Sequence, residues 1–220
     1  MKHQALRREI VAACLAMNAR GINQGTSGNI SARVEEGLLI TPSGIPYDEM
    51  KPGDIVPMRL DGSHDGKLKP SSEWRFHTSI MRARPEVGAV VHTHSMFATT
   101  LGCCGLEIPA VHYMIAAAGG NSIRCVPYIT YGTQELADAA VGALRDRNAC
   151  LLANHGMIVV GPTLKKAMWL AVEVETLAAQ YWRALQIGRP NILSEDQVQI
   201  VIEKFKTYGQ PQPEANPSCC

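Results

Sequence analysis

The sequence predicts a single domain of mixed α/β architecture. Three features support this prediction: the chain length, a set of short apolar runs, and longer segments with helical periodicity. The 220 residues suit one large domain better than two small ones. The short apolar runs are bounded by Gly, Pro and polar residues, as buried strands are. No internal repeat and no linker-like composition divides the chain.

Four segments carry the periodicity and boundary residues of helices. The first is amphipathic and ends before Gly21, a residue favoured just after a helix C-terminus. The second follows Ser71 and Ser72, either of which we expect to be the N-cap, and stops before Pro85. The third begins after Thr163, another capping residue. The predicted helices span residues 2–20, 74–84, 164–187 and 194–206.

Five short runs have the length and boundaries of strands. The later runs are continuously apolar, which is typical of strands that are buried on both faces. Two segments rich in glycine or proline, residues 23–31 and 41–54, are predicted to be mostly loop. The predicted strands span residues 30–34, 38–41, 87–91, 150–153 and 157–160.

Charge and hydropathy exclude several classes of function. The 21 basic and 20 acidic residues are interspersed and give a net charge of +1, so no basic stripe indicates nucleic-acid binding. The chain shows no apolar run of about 18 residues and no signal-peptide pattern, which argues against a membrane function and favours the cytoplasm. The seven cysteines lack CxxC spacing, as expected of reduced thiols. The polar segment 210–220 is expected to be a mobile tail.

Three histidines at the ends of apolar runs are candidate metal ligands. His92 and His94 lie in VVHTHS, and in an extended strand such i, i+2 side chains point the same way. His155 ends another run, in ANHG. If the strands end together, three imidazoles can hold one zinc ion and leave a position open for catalysis. Alternatively, they are ordinary histidines at strand ends, which is the commoner meaning of an isolated HxH motif.

Glu73 has two interpretations. It is predicted to lie in the first turn of a helix, where the helix dipole alone favours a carboxylate. The functional alternative is a carboxylate beside the metal that is a ligand at rest and accepts a proton during turnover.

Three Gly- and Ser-containing segments are candidate phosphate loops, namely residues 25–29, 41–44 and 71–72. Each combines accessible backbone N–H groups with hydroxyl donors, and the last lies at a predicted helix N-terminus. None matches a nucleotide-binding fingerprint, and each alone is more often an ordinary turn. Together they favour a small anionic ligand over a nucleotide.

The motifs GTSGNIS, TPSGIPY, KPSSEWRFH, VVHTHS, IPAVHYMIAAAGGNS, NHGM and KFKTYG follow one another in this chain. In order and spacing they resemble the class II aldolase and adducin-head family, most closely its bacterial L-fuculose-1-phosphate aldolase branch. The resemblance covers residues 1–209 as one class II aldolase domain. It implies an α/β fold with a central, mostly antiparallel sheet flanked by helices. It further implies a homotetramer with C4 symmetry and active sites between subunits.

The resemblance also implies a role for individual residues. One zinc ion per subunit is held by Glu73, His92, His94 and His155. Catalysis is implied for Glu73, as acid/base, and for Tyr113, which reaches the site of a neighbouring subunit. The phosphate-binding positions are Gly28, Asn29, Ser43, Gly44, Ser71 and Ser72. The aldehyde pocket is lined by Tyr131, Phe205 and Tyr208.

The implied reaction is the reversible cleavage of a ketose 1-phosphate, of the L-fuculose 1-phosphate type, into dihydroxyacetone phosphate and a lactaldehyde-type aldehyde. A salvage aldolase acting on 5-deoxyribulose 1-phosphate or 5-methylthioribulose 1-phosphate is the main alternative. Tyr131 and Asn154, which stand where Phe and His are expected, leave that choice open. A 4-epimerase or dehydratase is less favoured, because related epimerases carry Asp in place of Glu73. An adducin-like binding module is less favoured because the ligand set is intact.

Overall fold

A computed structural model describes residues 1–207 of the protein. Tyr208 and the segment 210–220 lie outside the described residues. The helices are α1 (Gln4–Ala19), α2 (Trp74–Ala83), α3 (Met96–Cys103), α4 (Gln134–Ala143), α5 (Leu164–Ile187) and α6 (Glu195–Phe205). Two short 3₁₀ helices span Pro52–Asp54 and Tyr113–Ala118.

The described residues form one eight-stranded sheet in the order β3-β2-β1-β4-β8-β7-β6-β5. The strands are β1 (Asn29–Val34), β2 (Gly37–Ile40), β3 (Val56–Met58), β4 (Ala89–Thr93), β5 (Ile108–Pro109), β6 (Ser122–Val126), β7 (Ala149–Leu152) and β8 (Gly156–Gly161). Among these described strands, all neighbouring pairs are antiparallel except β6 and β7. The mostly antiparallel sheet is therefore confirmed.

Helices cover both faces of the sheet, so the domain has two apolar cores. Alternation along β4 shows why: Ala89 and Val91 pack in the core with α1, α3, α5 and α6, whereas Val90 packs in the core with α2 and α4. Successive strand side chains point to opposite faces, so a strand between two helical layers must be apolar throughout. No helix among residues 1–207 is long and apolar enough to cross a membrane.

The structure confirms the predicted helices and strands, with bounds that shift by up to two residues, and it corrects one N-cap. Helix α5 begins after Thr163, whose side chain accepts a hydrogen bond from Lys166 N, as expected of an N-cap. The N-cap of α2, however, is Glu73 rather than Ser71 or Ser72. Its carboxylate does not cap the helix, because it turns towards the predicted metal ligands.

The sequence predictions missed two helices and three strands. Helix α4 carries a signal that was overlooked, since Thr133 caps it through a hydrogen bond from Leu136 N at 3.2 Å. Helix α3 depends instead on a distant residue. The carboxylate of Glu175, on α5, accepts hydrogen bonds from Phe97 N at 2.8 Å and Ala98 N at 2.9 Å at the start of α3. The missed strands are β3, β5 and β6.

Candidate active site

The three predicted histidine ligands lie at one edge of the sheet. His92 has the same strand parity as Val90 and therefore points to the face covered by α2. His155 lies in the turn between β7 and β8. Strands β4 and β7 do end at the same edge, but they are not adjacent as expected, because β8 pairs with both of them.

Two residues in the turn that carries His155 have backbone features that allow the turn to approach β4. Asn154 has a left-handed conformation with φ of 55°, which Asn tolerates better than most residues. Gly156 follows, and a Cβ there would overlap the carbonyl oxygen of Thr93 and touch the ring of His94. Only glycine lets the β8 turn approach the end of β4 so closely, and this approach brings His155 to the other two histidines.

Glu73 completes a four-residue cluster with the histidines. Its carboxylate is buried, with Oε2 at 3.1 Å from His92 Nε2 and Oε1 at 3.1 Å from His155 Nε2. His94 Nε2 lies 3.0 Å from His92 Nε2. One potential ligand atom from each residue lies within 4.8 Å of the others. The structure thus brings together all four predicted metal ligands.

The cluster fits a divalent metal by three physical criteria. A tetrahedral ion with bonds of about 2.0 Å separates its ligand atoms by about 3.3 Å, close to the spacing of these nitrogens and oxygens. His92 Nδ1 lies 2.9 Å from the carbonyl oxygen of Met157. Since a carbonyl can only accept, Nδ1 carries the proton in the neutral ring and Nε2 presents a lone pair to the centre. Glu73 Oε1 is buried without a hydrogen-bond partner among the described residues, as a vacant ligand oxygen would be.

The charge state of the cluster also suits metal binding. Burial alone would raise the pKa of Glu73, but the positive charge that His92 and His155 carry when protonated, and the 3.1 Å contacts of their Nε2 atoms with the carboxylate, hold its pKa well below the usual range. Burial, followed by repulsion from His92 and His155, lowers the pKa of His94 to about 4. A charged carboxylate and a neutral imidazole are the forms that bind metals.

The three predicted phosphate segments converge beside this cluster. Thr41 N–H donates to Ile30 O, and Thr41 Oγ1 accepts from Ile30 N, which joins the first two segments. Ser71 N–H donates to Thr41 O at 2.9 Å, and Ser43 N–H donates to Lys69 O at 3.0 Å, which joins the second and third. Ser43, Gly44 and Ser72 are exposed, whereas Gly28, Asn29 and Ser71 are buried. The phosphate role of all six stays a prediction.

Asn29 has a contact that the phosphate prediction did not anticipate. It lies directly opposite His92 in the β1–β4 register, and its Nδ2 donates to Glu73 Oε2 at 3.0 Å. Its side chain is therefore engaged with the Glu73 carboxylate in this structure.

The predicted aldehyde-pocket residues lie in different parts of the chain. Tyr131 is exposed in the loop before Gly132, whose carbonyl accepts from Arg75 on α2, so this loop lies against the start of the Glu73 helix. Phe205 lies near the end of α6 and packs on the core of the opposite sheet face. Tyr208 is outside the described residues. Their pocket role stays a prediction.

Tyr113 begins the 3₁₀ helix Tyr113–Ala118, which packs against α5 and α6. Its side chain is 49% exposed, and its ring contacts that of His112. It does not belong to the Glu73–histidine cluster within this chain. This placement leaves its ring accessible to another molecule, as the predicted shared site requires.

Sequence reasoning missed two residues that organise the site. The buried Asn23 accepts hydrogen bonds at Oδ1 from Ser27 Oγ and His94 N, and so ties the first glycine-rich segment to the end of β4. The buried His77 hydrogen-bonds Asn29 and Ser31. A signal for His77 was present, since it follows Glu73 by four residues and must share its helix face.

The fold and the cluster define an α/β protein with a three-histidine, one-carboxylate centre of the kind used by metal-dependent enzymes. The family model described as "Class II Aldolase and Adducin N-terminal domain" matches residues 8–182, so the chain belongs to this family. Its relatives with aldolase names place it among the enzymes of the family, as a class II, metal-dependent aldolase.

Two curated relatives carry different substrate names. The chain is 56% identical to "5-methylthioribulose-1-phosphate/5-deoxyribulose-1-phosphate aldolase" of Rhodospirillum rubrum, over 93% of both chains. It is 49% identical to "L-fuculose phosphate aldolase" of Escherichia coli, over 95% of this chain and 98% of that protein. A solved structure of "L-fuculose 1-phosphate aldolase" superposes with a TM-score of 0.91, at 37% identity, covering 94% of this chain and 98% of the other.

Proposed function

We propose that this chain catalyses the zinc-dependent, reversible cleavage of a ketose 1-phosphate into dihydroxyacetone phosphate and a short aldehyde. The observation that carries the proposal is the convergence of Glu73 with His92, His94 and His155, beside three Gly- and Ser-containing segments that backbone hydrogen bonds hold together. A metal centre next to an anion cradle is the arrangement that a sugar phosphate requires.

Zinc is the metal that this donor set suits best. Three imidazole nitrogens and one carboxylate form a mixed N/O set for a borderline-soft cation, whereas magnesium and calcium prefer oxygen alone. When bound, zinc supplies Lewis-acid polarisation of the ketose carbonyl. The residues of the chain have to bind the phosphate, orient the sugar and move protons.

In the cleavage direction, the C4 hydroxyl loses its proton towards Tyr113, the C3–C4 bond breaks, and its electron pair stays with the C3 fragment. Glu73, after taking up a proton from solvent, delivers it to C3, while Tyr113 passes the C4 proton to solvent, so that no proton is gained or lost overall. In the reverse direction Glu73 removes the C3 proton. Glu73 is placed for this task because its carboxylate is buried in the cluster, with its oxygens 3.1 Å from the Nε2 atoms of His92 and His155. The phosphate cradle supplies binding energy remote from the reacting bond and fixes the orientation of the substrate.

Two substrate branches compete, and the salvage branch is favoured. The higher identity, 56% against 49%, is to the protein named for 5-methylthioribulose 1-phosphate and 5-deoxyribulose 1-phosphate. L-Fuculose 1-phosphate is the second candidate, supported by the overall match to its aldolase at a TM-score of 0.91. An apolar pocket separates a methyl from a methylthio group by only about 1–3 kcal/mol, so both salvage substrates should be accepted.

The proposal includes a homotetramer in the cytoplasm, in which Tyr113 enters the site of a neighbouring subunit. Its support is the position of Tyr113, exposed on the α5/α6 side and outside the cluster of its own chain. Gly28, Asn29, Ser43, Gly44, Ser71 and Ser72 are proposed to bind the phosphate, and Tyr131, Phe205 and Tyr208 the aldehyde.

The test is a coupled assay for dihydroxyacetone phosphate with 5-deoxyribulose 1-phosphate, 5-methylthioribulose 1-phosphate and L-fuculose 1-phosphate, each with and without chelator. We expect chelator-sensitive release from all three, with the highest kcat/KM for the two salvage substrates. A preference for L-fuculose 1-phosphate would reverse the choice of branch. No release from any substrate by zinc-loaded protein would refute the aldolase assignment in favour of an epimerase or dehydratase.

A further inference from the structure

Strand β1 and helix α2 each present two polar side chains to the other beside the metal cluster. On β1, Asn29 and Ser31 are two residues apart and point to the same face of the sheet. On α2 and its N-cap, Glu73 and His77 are four residues apart and lie on the same face of the helix. All four side chains are buried, and none is more than 5% exposed.

These four residues form one continuous chain of hydrogen bonds. Ser31 Oγ lies 2.7 Å from His77 Nδ1, and His77 Nε2 lies 2.6 Å from Asn29 Oδ1. Asn29 Nδ2 donates to Glu73 Oε2 at 3.0 Å. The chain therefore joins the proposed acid/base residue to a histidine that is not part of the metal cluster.

Hydrogen-bond chemistry fixes the direction of every proton in this chain. A carboxylate only accepts, so Asn29 must present its NH₂ group to Glu73 and its Oδ1 to His77. Because Oδ1 also only accepts, His77 carries its proton on Nε2. Burial, followed by repulsion from His92, lowers the pKa of His77 to about 3, so the ring is neutral and Nδ1 accepts from the Ser31 hydroxyl.

We propose that His77 is a positioning residue for Glu73, acting through Asn29. If His77 did not donate to Oδ1, only the contact with Glu73 would hold the Asn29 amide, and the carboxylate would lose part of the support that fixes its orientation. With His77 in place, Glu73 Oε2 is held by Asn29, while Oε1 has no hydrogen-bond partner among the described residues and faces the cluster. The inference rests on the proposed function, because it assigns the orientation of the carboxylate that this function uses.

An alternative is that His77 only fills space. Its ring stacks on Phe76 with centroids 4.6 Å apart, a contact that any aromatic ring could make. His77→Phe separates the two roles, since it keeps a ring and removes both nitrogens. Thr78→Val is the matched control, because Thr78 is equally buried on α2 and its hydroxyl bonds only the carbonyl of Arg75 in the same helix.

The experiment is a double-mutant cycle of His77→Phe and Asn29→Ala, read out by kcat, KM and zinc affinity in chelator competition. We expect His77→Phe to lower kcat and zinc affinity by about 10- to 100-fold, with KM nearly unchanged, as for other partners of metal ligands. In the Asn29→Ala background, His77→Phe should have no further effect on kcat or zinc affinity, because the hydrogen bonds that link His77 to Glu73 are already absent. Thr78→Val should behave as wild type.

Equal losses from His77→Phe in both backgrounds, or unchanged kcat and zinc affinity, would overturn the proposal. If His77→Phe does not fold, His77→Gln replaces it in the cycle. Gln keeps one donor and one acceptor, so it should retain more zinc affinity than Asn29→Ala, and equal loss would count against the proposal. Wild-type protein that binds zinc but cleaves no ketose phosphate would refute the proposed function, while the zinc-affinity cycle would still decide the role of His77.

Discussion

His94 Nε2 lies 3.0 Å from His92 Nε2, a distance at which two imidazole nitrogens need a proton or a cation between them. The Nδ1 proton of His92 is already donated to Met157 O, so its Nε2 offers a lone pair. The low pKa of His94, about 4, works against an extra proton on that ring. A metal ion relieves this crowding, and its binding should therefore stabilise the fold strongly.

Zinc should raise the melting temperature of chelator-treated protein. At a free concentration 100 times its dissociation constant, a ligand specific to the native state adds about 2.7 kcal/mol. For a protein of this size, that corresponds to a rise of about 5–10 °C in thermal melts. His94→Ala should abolish most of the shift, whereas His64→Ala, which removes an exposed histidine outside the cluster, should not. An equal zinc response in all three proteins would contradict a metal site at this cluster.

Glu73→Gln should suppress cleavage without unfolding the protein. The amide has nearly the same shape as the carboxylate but cannot take or return a proton, so kcat should fall by about 10²- to 10⁴-fold. The coupled assay measures kcat, and circular dichroism checks the fold. Glu86→Gln, at an exposed carboxylate that pairs with Arg84, is the control and should be as active as wild type. Near-normal activity of Glu73→Gln would contradict the assignment of Glu73 as the acid/base residue.

Much of this site was predictable because its chemistry follows from strand and turn rules. The i, i+2 spacing of His92 and His94 in an apolar run places both rings on one side of β4. What the sequence could not show is which strands are neighbours. It gave no reason to expect β8 between β4, which carries His92, and β7, which ends just before the turn with His155. The family resemblance, rather than spacing, supplied the role of Glu73.

The features that the sequence did not predict depend on contacts between residues far apart in the chain. His77 and Asn29 are 48 residues apart, and Glu175 lies 78 residues beyond the α3 amide it stabilises. Neither pairing can be predicted locally, because the composition of α3 is ordinary, and the four-residue spacing of Glu73 and His77 indicates a shared helix face without showing which strand residue His77 contacts. Such tertiary contacts override local propensity, and only the folded chain reveals them.

The metal-free protein should lose stability as the pH falls from about 6.5 to about 5. His77 has a pKa of 6.5 in the unfolded chain and about 3 when folded, so the unfolded state binds an extra proton over this range. For one such group the slope approaches about 1.4 kcal/mol per pH unit. His94, with a folded pKa of about 4, adds to the slope over the same range, whereas Glu73, whose pKa is also lowered, contributes only below its unfolded value of 4.5.

Urea unfolding of chelator-treated protein at several pH values measures this slope. His77→Phe should show a shallower pH dependence than wild type, and Thr78→Val should match wild type. The same slope in His77→Phe and wild type would mean that other groups cause the acid sensitivity.

Gly28→Ala should destabilise the protein and loosen the first phosphate segment. A Cβ at this position would lie 2.7 Å from both Asn23 Oδ1 and the carbonyl oxygen of His92, so the loop and the end of β4 would have to separate. We expect a loss of about 1–3 kcal/mol in the free energy of unfolding, measured by urea titration. Gly53→Ala is the control, since its Cβ would meet nothing within 4 Å. Equal stabilities of the two variants would show that the close approach of Gly28 is not required.

Tyr113→Phe should lower kcat more than it weakens phosphate binding. The lost hydroxyl is the proposed proton acceptor for the C4 oxygen, and Tyr113 is not among the six residues proposed to bind the phosphate. Inhibition by inorganic phosphate should therefore stay near the wild-type level while turnover falls. Loss of phosphate affinity alone would contradict the assignment.

Mixing Tyr113→Phe with Glu73→Gln tests whether the site is shared between subunits. If Glu73 comes from one chain and Tyr113 from its neighbour, random reassembly of equal amounts makes about a quarter of the sites intact. Activity should then recover to about a quarter of the wild-type value, although each variant alone is nearly inactive. The position of Tyr113, on the α5/α6 side and outside the cluster that contains Glu73, is the structural reason to expect this recovery. Mixtures with proven subunit exchange but no recovery would place both residues in a single chain.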